Sequence, residues 1–182
     1  MANNASNVQA GKPKIGGAIF VADKGTTIPT DCTSALAAAF KCMGYVSDDG
    51  VDNDNSPETD SKKAWGGDPI LTTQTGKPDQ FKFTLVECTN LDVLKFVYGS
   101  SNVSGTLETG VTIKATSDEA EEKVIVIDTL LGGVAKRIVI PKGKLSSVGT
   151  ITYKDDEAVG YELTVDALSD GIATHYEYMK TV

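Results

Sequence analysis

Strand-like segments fill the C-terminal part of the chain and constrain its fold more than any other feature. Turn-forming residues separate them, at 132–133, 141–143, 155–157 and 170–171. The segments after residue 109 are GVTIKATS, KVIVIDTLL, KRIVIPKG, VGTITYKDD, VGYELTVDAL and ATHYEYMK. Short strands joined by such turns are typical of a sandwich or a barrel. The sequence therefore predicts a mostly β fold.

The preceding part of the chain adds further strands. GGAIFVADKG and FKCMGYV indicate two of them, and DPILTTQTG and DQFKFTLVEC indicate two more. In the last segment Phe81, Phe83 and Leu85 alternate with Lys82 and Thr84. Alternation with a period of two is typical of a half-buried strand.

One helix is predicted at about residues 89–98, in TNLDVLKFVYG. Thr89 or Asn90 can act as its N-cap, Asp92 lies near the positive end of the helix dipole, and Gly99 follows the last turn. One face carries apolar residues that predict packing on a sheet: Leu91, Leu94, Val97 and Tyr98. The predicted fold class is α+β, mostly β with one helix, in a sandwich or barrel-like arrangement.

Composition divides the chain into a short arm and one domain. Residues 1–14 are rich in Asn, Ala, Ser, Gly and Lys without periodicity, which predicts a flexible N-terminal arm. The chain is 40% hydrophobic, which is enough for an ordinary core. We expect residues 15–182 to form a single domain.

A long polar segment at residues 45–68 is expected to be a loop, and it contains the only tryptophan, Trp65. Six acidic residues and no basic one lie from Asp48 to Asp60, and Lys62 and Lys63 follow. Long loops in a compact domain are usually functional or disordered. An exposed tryptophan also offers apolar area that a partner could bury. We interpret the segment as a contact surface, with a solvated acidic loop as the alternative.

The sequence offers little for catalysis or for binding a cofactor. The net charge of -8 opposes binding to nucleic acid backbones. The single histidine, His175, is interpreted as a residue of a sheet surface, and no GxSxG, HExxH or GxxxxGK[ST] motif is present. An EF-hand loop starting at Asp52 would need glycine at Pro57 and glutamate at Lys63. We expect no enzyme activity, no cofactor and no bound metal.

Cysteines and targeting signals bear on where the chain is made. Cys32, Cys42 and Cys88 are odd in number and form no CxxC pattern, which argues against a complete disulfide framework. The start, MANNASNVQAGKPK, lacks the apolar region of a signal peptide, and no run is as long as a membrane span. These features predict synthesis and assembly in the cytoplasm without membrane insertion.

The order of these features resembles the tail tube, or major tail, proteins of long-tailed non-contractile bacteriophages. The resemblance runs from Gly16 to about Tyr178. It rests on GGAIFVADKGTTIPTD, FKCMGYVSDDGV, KKAWGGD, FKFTLVECTNLDVLKFVYG, KRIVIPKGKLSSVGTITYKDDEAVGYELTVDAL and THYEY. It implies a β-sandwich with a flanking helix in a structural virion protein. Such a subunit polymerises as stacked hexameric rings into a tail tube, the channel for DNA passage during genome ejection.

The resemblance also implies the partners. They are other copies of the chain together with tape measure, tail tip and tail terminator proteins, all met in the cytoplasm of a bacterial host. DNA would pass through the lumen without specific binding, because an acidic wall repels it.

Three sets of residues are the expected contact and channel surfaces. The arm contributes inter-subunit contacts through Lys12 and Lys14. The loop contributes Asp48, Asp49, Asp52, Asp54, Glu58, Asp60, Lys62, Lys63, Trp65 and Asp68, with Trp65 as the anchor. In VGYELTVDAL, the polar side is interpreted as a lumen face, or else as an outer solvent face: Glu162, Thr164 and Asp166.

Two other functions are compatible with the sequence. The first is a tube protein of a contractile or type VI secretion-like system, which would keep the related fold. The second is a β-sandwich module that binds carbohydrate or calcium through the acidic segment, since Asp48, Asp49, Asp52 and Asp54 supply oxygens that calcium prefers.

Overall fold

The computed structural model describes residues 3–182, and in that range the fold is mostly β with a single α-helix. The helix, α1, spans Leu91–Tyr98. Short 3-10 helices lie at Ala5–Asn7 and Ser100–Asn102. The strands are β1 (Gly11–Pro13), β2 (Ile19–Asp23), β3 (Lys41–Cys42), β4 (Val46–Asp54), β5 (Glu58–Lys63), β6 (Pro69–Gly76), β7 (Gln80–Leu85), β8 (Val103–Thr106), β9 (Gly110–Ile113), β10 (Glu122–Leu131), β11 (Val134–Val148), β12 (Tyr161–Ala167) and β13 (Tyr176–Thr181).

Nine of the strands form one antiparallel sheet. Its main path runs β3-β2-β10-β11-β12-β7-β4, and it is open at both ends. Strands β1 and β13 join it beside β10 and β11, respectively. The other four strands form two separate hairpins, β5–β6 and β8–β9.

The long hairpin β10–β11 organises the sheet. Near its turn it is flanked by β1, which pairs with Thr129–Leu131, and by β13, which pairs with Val134–Val139. Farther from the turn it is flanked by β2 and β12. The N-terminal strand and the C-terminal strand therefore lie at the same end of the central hairpin.

The main core lies on one face of the sheet under α1. Strands β2, β7, β10, β11 and β12 all contribute to this single cluster, so the sheet curves around it. The alternation of β7 is confirmed, because Phe81, Phe83 and Leu85 are buried. The helix buries Val93, Leu94 and Phe96, whereas Leu91, Val97 and Tyr98 pack at its margin. Asn90 is the N-cap, with its side-chain oxygen accepting from the Asp92 amide at 3.0 Å.

A smaller core lies on the opposite face, where residues 24–40 cover β10 and β11. It contains Phe40, Val124, Val126 and Val139. Strand β10 is therefore buried on both faces, which explains its continuous apolar run.

A buried ion pair anchors this covering segment. Arg137 Nε and Nη2 donate to the two carboxylate oxygens of Asp128 at 2.6 and 2.8 Å. Its Nη1 donates to the carbonyls of Asp31 and Ser34, both at 3.0 Å. The guanidinium joins the sheet to the segment that covers it.

The predicted turn at Pro141–Gly143 is wrong, because β11 continues through it to Val148. The register of the β10–β11 pair shifts between Lys123 and Ile125, opposite this proline. On the other edge of β11, pairing with β13 ends at Val139 and pairing with β12 begins at Gly143, so Pro141 faces neither strand. A proline is tolerated where a bulge requires no amide donor.

The predicted strand VGTITYKDD is also wrong. Only Val148 lies in a strand, and residues 149–160 leave the sheet before β12 begins. Ile151 packs against the core, while Tyr153 is exposed. No helix in residues 3–182 has the length and apolarity needed to cross a membrane.

Candidate assembly surfaces

The segment 45–68 is not a structureless loop. Its first part forms β4 on β7, and its second part forms β5, which pairs with β6. Val46 and Val51 of β4 pack against the main core, and this packing overrides the low strand propensity of the aspartates. The sequence predicted β6 but not its partner β5.

The β5–β6 hairpin projects into solvent. Every residue of its two strands is exposed except Gly76. Two-stranded hairpins are only marginally stable in water. This hairpin also carries apolar side chains that are exposed, at Trp65, Ile70 and Leu71, and Trp65 is fully exposed. Ile70 and Leu71 lie in the predicted strand DPILTTQTG and were not recognised as surface residues.

A compact turn holds Trp65 at the tip of this hairpin. The Ala64 amide donates to the Asp68 carbonyl at 2.7 Å, and the Gly67 amide donates to the Ala64 carbonyl at 3.0 Å. Gly66 and Gly67 have φ of 114° and 101°, a region that favours glycine. The GG pair of KKAWGGD therefore shapes the turn that presents the indole.

The charged residues predicted as contacts fall on two different structures. Asp48, Asp49, Asp52 and Asp54 lie on the edge strand β4, and all four are exposed. Glu58, Asp60, Lys62 and Lys63 lie on β5, with Asp68 in the turn beyond it. The structure thus separates the aspartates of β4 from the lysines of the hairpin tip.

An extended strand spreads the β4 carboxylates about 3.3 Å apart per residue. Within residues 3–182, no group of three or more His, Cys, Asp or Glu side chains has an arrangement that could hold a metal ion.

The N-terminal arm is partly ordered on the sheet. Residues Gly11–Pro13 form β1, which pairs with β10. Lys12 is exposed, whereas Lys14 Nζ lies 3.4 Å from Asp128 Oδ2. Asn4 caps the short helix that precedes the strand. Residues 1 and 2 of the expected arm lie outside the described residues.

The alternation predicted for β12 is confirmed by burial. Tyr161, Leu163 and Val165 are buried in the main core, and Glu162, Thr164 and Asp166 point to the other face. Gln80 Nε2 and Ser146 Oγ donate to Asp166 Oδ1 at 2.8 and 2.9 Å.

This polar face extends across the neighbouring strands. In the strand register, Lys82 lies opposite Thr164 on one side and Asp52 on the other, and Lys144 lies opposite Asp166. The result is a solvated face with carboxylates from two strands.

His175 is not a simple surface residue. Its side chain is only 13% exposed, and its Nδ1 lies 2.5 Å from Asp79 Oδ2. Thr174 Oγ1 and Asn53 Nδ2 also donate to the Asp79 carboxylate, at 2.6 and 2.8 Å. Burial alone would raise the pKa of Asp79, but the bonds from Thr174, His175 and Asn53 outweigh it and lower the pKa.

The Asp79 network joins three parts of the chain. It links the residue before β7 to β4 and to the two residues before β13. These residues are distant in sequence, and no local pattern marks them as partners. The single histidine is held by its contact with Asp79, so the network positions these three segments and supplies no nucleophile.

A family model described as phage tail tube protein matches residues 1–181. The chain belongs to the phage tail tube protein family. It is therefore a structural subunit of the phage tail tube and a component of the virion. The family is structural rather than enzymatic.

Comparison of this tail tube protein with curated proteins gives no match. Among solved structures it is similar to a sheath/tube terminator of an extracellular contractile injection system, with 10% identity and a TM-score of 0.40 over 93% of this chain and 98% of that chain. It is also similar to the tube-terminating cap of the anti-feeding prophage, with 10% identity and a TM-score of 0.40 over 100% of both chains. The sheath-tube complex of the same injection system gives 10% identity and 0.38 over 100% of both chains.

Proposed function

We propose that the protein polymerises as stacked hexameric rings in the tail tube of a long-tailed non-contractile phage, with the β5–β6 hairpin as a principal inter-subunit contact. The observation that carries the proposal is an ordered hairpin, exposed along both strands, with Trp65 at its tip. Hexameric symmetry and a non-contractile tail rest on the resemblance in GYVSDDGV and KKAWGGD.

The tip can contribute substantial free energy to association. Burying a tryptophan removes about 150–250 Å² from water. At about 25 cal/mol per Å² this gives roughly 4–6 kcal/mol, before the entropic and desolvation costs of binding. Ile70 and Leu71 add to the apolar area. Lys62, Lys63 and Asp68 can fix the orientation through charge pairs at the rim.

The polar face around β12 is our candidate for the lumen wall. Its carboxylates, Asp52, Glu162 and Asp166, outnumber Lys82 and Lys144 on the same face and would limit adhesion of DNA during passage into the host. The arm lysines, Lys12 and Lys14, would add inter-subunit contacts. Tape measure, tail tip and tail terminator proteins would be the partners that set the length and close the ends of the tube.

Replacing Trp65 with alanine tests the proposal. Concentrated wild-type protein should form tubes or rings of uniform diameter in negative-stain images, whereas Trp65→Ala should remain monomeric by sedimentation. Leu107→Ala is the matched control, because Leu107 is also exposed but lies in the turn of the other hairpin, β8–β9. The control should assemble like the wild type.

Circular dichroism keeps the result interpretable. The Trp65→Ala monomer should retain its strand signal and its urea midpoint. An unfolded variant would show that Trp65 belongs to the core. Wild-type protein that stays monomeric under all conditions would contradict the proposed function itself.

A further inference from the structure

The strand register gives the subunit two distinct ends. Asp54 pairs with Gln80, Gln80 with Asp166, and Asp166 with Lys144. From Lys144, β11 runs back to its turn at Gly132. The end of β4 and the start of β7, where the chain enters and leaves the hairpin, therefore lie on the side of the sheet nearer that turn. The β5–β6 hairpin is therefore attached at the end of the sheet that carries the β10–β11 turn and β1. We call this the hairpin end.

The other end of the sheet carries a second set of exposed aromatic residues. Val46 pairs with Leu85, and Leu85 pairs with Tyr161 at this end. Tyr45 precedes this row and is 77% exposed. Tyr153, in the segment between β11 and β12, is 75% exposed. We call the surface formed by residues 45–49 and 148–157 the far end.

The hairpin tip and the far end differ in charge. Lys62 and Lys63 lie beside Trp65, with Asp68 in the tip and Glu58 and Asp60 farther along β5, and Lys12 lies on β1. The far end carries Asp48, Asp49, Asp155 and Asp156, all exposed. Among the described residues, none of these lysines or far-end aspartates lies in an ion pair, whereas Lys154 and Glu157 pair with each other at 2.7 Å.

We propose that the far end of one copy receives the hairpin tip of the next copy. The Trp65 indole would pack beside Tyr45 and Tyr153, while Lys62 and Lys63 would face Asp155 and Asp156. Aromatic rings stack favourably, and complementary charges fix orientation and register. This inference rests on the proposed function and adds the receiving surface and the direction of stacking.

Head-to-tail contact between unlike surfaces agrees with the geometry of a growing tube. A heterologous contact that does not close on itself generates an open filament. Because the hairpin and the far end lie at opposite ends of the strands, each added copy would offer a new far end or a new hairpin.

Photocrosslinking tests the contact directly. The variant Trp65→p-benzoylphenylalanine keeps an aromatic ring at an exposed site and should assemble. It is mixed with ¹⁵N-labelled wild-type chains, polymerised and irradiated, and the crosslinked peptides are mapped by mass spectrometry. Crosslinks should join position 65 to residues 45–49 or 148–157 of a labelled copy, and only in polymer. Crosslinks in tubes that map elsewhere would overturn this inference and leave the proposed function intact.

Charge reversal provides an independent test. The pair Lys62→Glu and Lys63→Glu should raise the critical concentration for assembly at least about tenfold, because like charges would then meet across the contact. Asp155→Lys with Asp156→Lys should do the same. The quadruple variant should recover most of the loss, whereas Glu108→Lys, an exposed control between β8 and β9, should have no effect.

The outcomes separate the two ideas. Quadruple protein that assembles no better than either double variant would overturn the inference. Failure of every protein to assemble, wild type included, would instead contradict the proposed function on which the inference rests.

Discussion

Replacing Arg137 with methionine should be among the most destabilising single changes in this subunit. The guanidinium side chain is only 1% exposed, and its removal leaves the Asp128 carboxylate, itself 5% exposed, without its bidentate partner. Among the side chains of residues 3–182, Lys14 is the cation that would remain near that carboxylate, at 3.4 Å. The carbonyls of Asp31 and Ser34 would also lose their donor.

The expected magnitude follows from this arrangement. Removing one partner of a buried ion pair costs about 3–5 kcal/mol, because the other charge is left buried and uncompensated. A domain of ordinary stability has about 5–15 kcal/mol in total. Arg137→Met should therefore remove a large share of the stability and loosen the segment that covers the smaller core.

Urea titration of dilute, unassembled protein measures the free energy of unfolding. Lys14→Met is the matched control, because its pair with Asp128 is long and partly exposed and should contribute about 1 kcal/mol or less. Arg137→Met combined with Asp128→Leu should cost less than Arg137→Met alone, because no buried charge is left. A cost below about 1 kcal/mol for Arg137→Met would refute the reasoning.

Two further predictions concern titration. The lowered pKa of Asp79 means that its carboxylate stabilises the fold above about pH 4 and that this contribution is lost as the pH falls through the folded-state pKa. Asp79→Asn should flatten the acid limb of unfolding free energy against pH, and an unchanged limb would contradict the assignment. Burial raises the pKa of Tyr161 to about 12, so its stabilising contribution is complete below about pH 10 and is lost as the pH rises through 12. In an alkaline absorbance titration, Tyr161→Phe should lack the tyrosinate that forms at the highest pH. Loss of a tyrosinate that forms at lower pH would refute the assignment of the raised pKa to Tyr161.

Local signals in the sequence were enough to predict several elements. The alternation of β7 and β12 follows from one buried face, so Phe83 and Leu163 could be assigned to the core without knowing their neighbours. The start and end of α1 follow from Asn90 and Gly99, which act on the adjacent backbone. What the local pattern could not give was Val93 and Phe96 as buried residues, because the helix is covered on more than one side.

The errors arose where distant residues decide the structure. Pro141 is accommodated by a bulge opposite it and by the gap between β12 and β13, and neither is visible in the residues around it. The aspartates of β4 read as a loop, yet pairing with β7 makes them a strand. The partnership of Asp79 with His175 joins residues 96 positions apart.

The exposed residues of the hairpin were predicted only in part, because some of them depend on strand pairing. An isolated tryptophan beside glycines can be read from the sequence as a surface feature, and Trp65 is fully exposed. The hairpin that presents it depends on the pairing of β5 with β6, which brings Ile70 and Leu71 into the same projection.

The distribution of charge bears on where copies of the chain can associate. The four aspartates on β4 lie on an edge strand, where their charge opposes pairing of the unpaired backbone groups with another strand. A net charge of -8 adds a general repulsion between copies. Lys62 and Lys63 reverse the sign locally, beside the most exposed aromatic residue of the chain. The two lysines give the tip a local positive charge that suits an acidic surface of another copy better than a second pair of lysines. The electrostatics of the tip therefore favour contact between unlike surfaces.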